Sequence, residues 1–107
     1  MLASLVLTVS LIDPSATKKK LCIRDYVESS VCDVRGPATA MTYIMPLELG
    51  GVDNFDNQVV IPCEKKLWRD AVVKCLYRNM CKGRVTLKEA QRQMREDWYL
   101  AGLNCKK

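Results

Sequence analysis

Six cysteines and no histidine set the chemistry open to this 107-residue chain. Cys22, Cys32, Cys63, Cys75, Cys81 and Cys105 contain no C-x-x-C pair, and no imidazole is available to complete a zinc site. In an oxidising compartment the same six residues form a disulfide framework of three bridges, with the pairing left open by the sequence. A second group is cationic. Residues 63–107 carry twelve basic and five acidic side chains, whereas residues 1–62 carry five and seven. Lys65, Lys66, Arg69, Lys74, Arg78, Arg84, Arg92 and Arg95 are therefore candidates for binding an anionic partner, nucleic acid included. Their ordinary alternative is a solvated helix face.

The elements that must hold these residues begin with an apolar stretch. "MLASLVLTVSLI" is about 12 residues long, too short to cross a bilayer as a helix and suited to the core of a signal peptide. Asp13-Pro14 ends it and Ser15-Ala16 supplies small residues, so residues 1–16 read as a leader or its remnant. Export to the periplasm or the exterior, with no integral membrane segment in the mature chain, is the expectation. It agrees with the disulfide reading. The alternative is a buried N-terminal strand or helix. Residues 17–107 then form one small domain of about 90 residues, a size at which a hydrophobic core alone is marginal.

Along that domain, "LCIRDYV" is a plausible strand and "RGP" a turn. "MTYIMPL" and "VVIP" are short β-compatible runs around Gly50-Gly51 and a polar loop, which predicts a hairpin, with Pro46 at an edge or at the strand's end. Between Cys63 and Cys81 the series Leu67, Ala71, Cys75 and Trp68, Val72, Leu76, Met80 predict a helix, with Gly83 just past its end. Thr86 with Glu89 forms a capping box, and Val85 with Ala90 a hydrophobic staple. Leu87, Ala90, Met94, Trp98 and Ala101 mark the buried face of a second helix, which Gly102 closes. The short link makes the two helices antiparallel neighbours. The fold class is α+β: a short β-hairpin followed by two packed helices, stapled by disulfides. Trp68 and Trp98 read as core anchors.

Pro46-Leu47-Glu48-Leu49-Gly50-Gly51, then Asn57, then Pro62, then Cys81-x-Gly83-Arg84, Ala90-Gln91 and Asp97-Trp98 resemble, in order and spacing, small exported bacterial HNH-endonuclease-like proteins. The likeness spans about residues 41–100 and implies a ββα-metal core. Members of that group carry an Asp-His pair ahead of the Pro-Leu-Glu-Leu-Gly-Gly turn, an asparagine in the following loop and a Lys-Asp pair on the helix. Carried over, the aspartate falls on Thr42, the histidine on Tyr43, the asparagine on Asn57 and the Lys-Asp pair on Arg69-Asp70. Cys22 and Tyr26 resemble an upstream Cys-x-x-x-Tyr segment, so the resemblance also implies a Cys22–Cys81 bridge. The stretch between Cys22 and the turn is shorter here than in those relatives.

In an HNH enzyme the histidine takes a proton from the attacking water, which needs a group titrating near neutrality. Tyrosine, with a pKa near 10, does not. Thr42 is a poor replacement for a metal-binding carboxylate, so base and metal ligand are lost together. The motif scaffold — Glu48, Gly50, Gly51, Asn57 and Asp70 — is kept while the reacting positions Thr42 and Tyr43 are changed. The resemblance thus implies a degenerate nuclease without catalytic residues, metal or other cofactor, acting by binding a protein partner or nucleic acid. The alternative is an active metal-dependent endonuclease in which Mg²⁺ or another divalent ion uses two of Glu48, Asp53, Asp56 and Asp70. Each of those carboxylates also has a plain structural role: Glu48 and the two loop aspartates to backbone, Asp70 to Lys66 or Lys74 at helical spacing. Asn57 is expected to brace the loop, and Tyr43 to be a strand aromatic with its hydroxyl at the surface.

Overall fold

The computed structural model describes residues 10–23, 32 and 38–105. The "RGP" turn, Tyr26 and the first nine residues of the leader lie outside them. Leu21 does not begin a strand. It ends a one-turn helix, α1 (Lys18–Leu21), capped by the Thr17 side chain. The rest of that expected strand, from Arg24 on, is outside the described residues.

The hairpin is present. β1 (Thr39–Tyr43) pairs antiparallel with β2 (Gln58–Pro62), with Ala40 opposite Ile61 and Thr42 opposite Val59. Successive side chains alternate between faces, so Ala40, Thr42, Val59 and Ile61 share the face turned toward the helices. Met41 and Val60 share the outer one. β1 ends at Tyr43, the chain bends through Ile44 and Met45, and Pro46 leads into a 3-10 turn, Leu47–Leu49, that ends on Gly50 in the left-handed region at φ 87°. Gly51 is required for a different reason. A Cβ there would lie 1.9 Å from the Met45 carbonyl oxygen.

Leu11–Asp13 pair with this turn. Ile12 bridges Gly51, the Asp13 amide donates to the Gly50 carbonyl, and the Val52 amide donates to the Leu11 carbonyl. Leu11 and Ile12 also pack against the core. Part of the apolar N-terminal run therefore works as structure in the folded chain.

α2 (Cys63–Cys81) follows β2 directly, and Gly83 at φ 78° turns the chain away from its end. Val72, Leu76 and Met80 are buried as the spacing predicts, but the N-terminal half of the helix departs from it. Leu67 and Trp68 are exposed, and the buried positions there are Lys66 and Arg69. Trp68 is thus no core anchor; it stacks on Tyr99, ring centroids 5.1 Å apart, at the surface.

α3 (Leu87–Asn104) starts on Thr86, whose hydroxyl accepts the Glu89 amide. The reciprocal arm of the capping box is not made, because the Glu89 carboxylate accepts from Arg92 and Gln93. Those bonds, Arg92 first, hold the Glu89 pKa down to about 2. Ala90, Met94 and Ala101 are buried, and Trp98 packs against the core at partial exposure. Gly102 does not close the helix, which runs on to Asn104. Its missing side chain admits Val72, whose Cγ2 would stand 2.5 Å from a Cβ.

The helix is broken at Asp97, where φ −162° and ψ 88° leave the helical region. The Asp97 carboxylate accepts the Leu100 amide and so caps a new segment. Trp68 meets Tyr99, Val72 meets Gly102 and Cys75 bonds Cys105. These contacts ascend both helices together, so residues 98–104 run parallel to α2, whereas residues 87–96 return antiparallel to it as expected.

Three disulfides staple the domain: Cys22–Cys81, Cys32–Cys63 and Cys75–Cys105, with Cα separations of 5.6, 5.5 and 6.2 Å. The first is the pairing the family likeness implies. Three intramolecular bridges suit an oxidising, extracytoplasmic environment. Among the described residues no helix is long and apolar enough to cross a membrane.

Candidate functional site

Asn57 organises the region where the motif residues meet. It is fully buried at the head of β2. Its Oδ1 accepts the Met45 amide at 2.7 Å, and its Nδ2 donates to the Met45 and Val52 carbonyls, each at 2.8 Å. A single amide side chain thereby ties the end of β1 to the loop after Gly51. From α3, Gln91 donates to the Leu49 carbonyl at 2.8 Å and fixes the turn against the helices.

Beside this brace lies a groove of about 680 Å³. One wall is the inner face of the hairpin, with Thr42, Ile44, Val59 and Ile61; the other is Lys65 and Arg69 of α2 with Met94, Arg95 and Trp98 of α3. Met45 forms part of the lining, and Ser10–Ile12 contribute as well. Among the described residues no acidic side chain lines it. Thr42 faces this space, whereas Tyr43, its neighbour on the opposite face of β1, does not.

The Tyr43 hydroxyl donates to Asp53 at 2.8 Å. That bond, with lesser help from burial and the nearby Asp53 and Glu48 charges, raises the phenol above its ordinary pKa. Tyr43 is therefore a neutral donor near pH 7, with no capacity to act as a base. Asp53 is engaged by it, and Asp70 accepts Lys66 Nζ at 2.7 Å. Glu48 sits half-buried in the 3-10 turn and Asp56 is exposed in the loop before β2. Among the described residues no three His, Cys, Asp or Glu side chains are grouped so as to hold a metal ion.

Arg69 is the unusual member of the site. It is only 6% exposed, its Nη2 donates to the Tyr43 and Ile44 carbonyls, and its guanidinium carbon lies 5.5 Å from the centre of the Trp98 ring. Its Nε is buried with no acceptor. Burial lowers its pKa, against a smaller opposing pull from Asp70. It is a cation held by carbonyl dipoles and a π face, and no carboxylate ion-pairs with it among the described residues.

No family model matches this chain, and neither a curated protein nor a solved structure is detectably similar to it. What the site can do rests on its own geometry.

The eight basic candidates are not gathered in one place. Lys65, Arg69 and Arg95 line the groove. Lys66 is buried against Asp70, Arg92 is held between Glu89 and Glu96, and Arg84 donates to Asn79 Oδ1 at 3.4 Å. Lys74 stands about two and a half turns beyond Lys65, and therefore on the opposite side of α2, with Arg78 one turn further along that side. The apolar lining was the part that motif reasoning missed. Alternation along β1 and β2 puts Ile44, Val59 and Ile61 with Thr42, and i,i+4 spacing pairs Lys65 with Arg69 and Met94 with Trp98. Ser10–Ile12 belong to the run that reads first as a leader, and their place in the wall agrees with the alternative of a buried N-terminal segment.

Proposed function

We propose that this chain is an exported binding domain on a degenerate HNH-endonuclease-like frame, and that its working surface is the groove between the hairpin and the helices. The order strand, turn, strand, helix and the asparagine brace support the HNH-like reading. The three bridges support export.

The observation that carries the loss of catalysis is the pair Thr42 and Tyr43. A nuclease needs a base and a metal-held phosphate at one point. Here a threonine faces the groove, and the tyrosine is turned away with its proton committed to Asp53. Of the two partner classes, nucleic acid calls for a continuous basic track, whereas these cations are divided between opposite sides of α2. The groove offers apolar contact with three cations at its wall. That combination favours a partner with apolar surface and localised negative charge.

The test is a plasmid-nicking assay of the full chain with Mg²⁺, Mn²⁺ and Zn²⁺, beside a Thr42→Asp, Tyr43→His double variant. The native chain is expected to leave plasmid intact with every metal, and cleavage gained by the variant would tie the frame to HNH ancestry. Metal-dependent cleavage by the native chain would overturn the binding reading and favour the carboxylate-metal alternative.

A further inference from the structure

We infer that the groove is a binding site for a long-chain acyl carboxylate, a single anionic head on an unbranched apolar body. The inference rests on the binding reading above and names the ligand class for that groove.

Three observations lead to it. The volume, about 680 Å³, lies within the range of about 300–1,000 Å³ typical of small-molecule sites. The lining is chiefly apolar, with Ile44, Val59 and Ile61 on the hairpin wall and Met94 and Trp98 on the helix wall. Among the described residues, all the charge in it is of one sign. Lys65, Arg69 and Arg95 stand there with no acidic neighbour among the described lining residues, and Arg69 is a buried cation with an unpartnered Nε. A buried charge lacking a counter-ion is costly, and a carboxylate brought to that wall offsets the cost.

The apolar lining also decides between ligand classes. A peptide carries an amide group at every residue, and each must find a hydrogen-bond partner when buried. The hairpin presents its side-chain face here, not a strand edge, so it has no ladder of backbone donors and acceptors to offer. An acyl chain asks for none. Burial of its methylenes contributes about 0.8 kcal/mol each, and the head requires only the cations already present.

The test uses the delipidated full chain titrated with sodium laurate below its micelle concentration, followed by ¹H–¹⁵N NMR and tryptophan fluorescence. Saturable shifts are expected at Thr42, Ile44, Met94 and the Trp98 indole, with little change at Phe55 or Tyr43. Dodecanol, which keeps the body and lacks the charge, should bind about ten-fold more weakly, and hexanoate, which keeps the charge but lacks six methylenes, about 10³-fold more weakly. Because Arg69 also supports the hairpin, the cation arm uses the exposed Lys65→Glu and Arg95→Glu, each expected to weaken laurate about ten-fold while leaving the spectrum folded. Thr42→Trp, which fills the groove, should abolish binding. Absence of saturable shifts, equal affinity for dodecanol, indifference to both charge reversals, or uptake only by anionic lipid vesicles would each overturn the inference. A peptide ending in an apolar residue that binds in laurate's place would do the same. None of these outcomes produces a nicked plasmid, so failure here stays distinct from failure of the binding reading.

Discussion

Asn57 makes three hydrogen bonds from one buried amide, which places it at the centre of the site's stability. Asn57→Ala leaves the Met45 amide and two carbonyls without their partner, and each orphan costs about 1–3 kcal/mol. A loss of about 3 kcal/mol or more in urea unfolding is expected, and a loss below about 1 kcal/mol would show that the loop holds without its brace. The resemblance to HNH-like proteins implied a bracing role for this asparagine; its complete burial and its three partners follow only from the fold. The Tyr43–Asp53 bond was not legible in the sequence. Both residues were visible, but nothing in their spacing says that a strand hydroxyl reaches the loop ten residues on. Arg69 was hidden for a related reason. A guanidinium on a basic helix reads as solvated, and its burial follows only once the Tyr43 and Ile44 carbonyls and the Trp98 ring are in place.

Among the elements, the hairpin and the C-terminal half of α2 follow the pattern of apolar positions. The bounds of α2 are the predicted ones at Cys63 and Cys81, although Lys66 and Arg69 replace Leu67 and Trp68 on its buried face. The second helix shows where periodicity stops being informative. Its apolar spacing runs without interruption through Asp97, so the break there is silent in the sequence, and Asp97-Trp98 reads as mid-helix. Tertiary contacts impose the reversal: Gly102 against Val72 and the Cys75–Cys105 bridge draw residues 98–104 back along α2. Residues 11–13 illustrate the converse. An apolar run suited to a leader also supplies the β-bridge to Gly50–Val52. A chain beginning at Thr17 lacks the two backbone hydrogen bonds of Leu11 and Asp13 together with the packing of Leu11 and Ile12. It should unfold on the order of 2 kcal/mol earlier than a chain beginning at Ser10, measured by denaturant titration. Equal stability would mean that this pairing contributes nothing.

At the scale of the molecule, the bridges offset a small core. The Cys75–Cys105 disulfide closes a span of 30 residues, for which loop-closure entropy gives about 3.5 kcal/mol. Replacing both cysteines by alanine is expected to lower stability by about 3 kcal/mol and to loosen residues 98–104 first, seen as faster amide exchange there than in α2. Uniform exchange across both helices would contradict that order of events. Fold class and cysteine chemistry were legible because they depend on counts and periods. The site was not legible as a groove, because it is assembled from two strands, two helices and an N-terminal segment that no single motif spans. The central claim is that this frame binds without a catalytic metal. Its most direct test is a Mn²⁺ titration of the ¹⁵N-labelled chain, read as paramagnetic line broadening. The account predicts no selective broadening at Thr42, Glu48, Asn57 or Asp70 at stoichiometric Mn²⁺. Saturable broadening centred on those residues would place a metal between the hairpin and α2, and would contradict it.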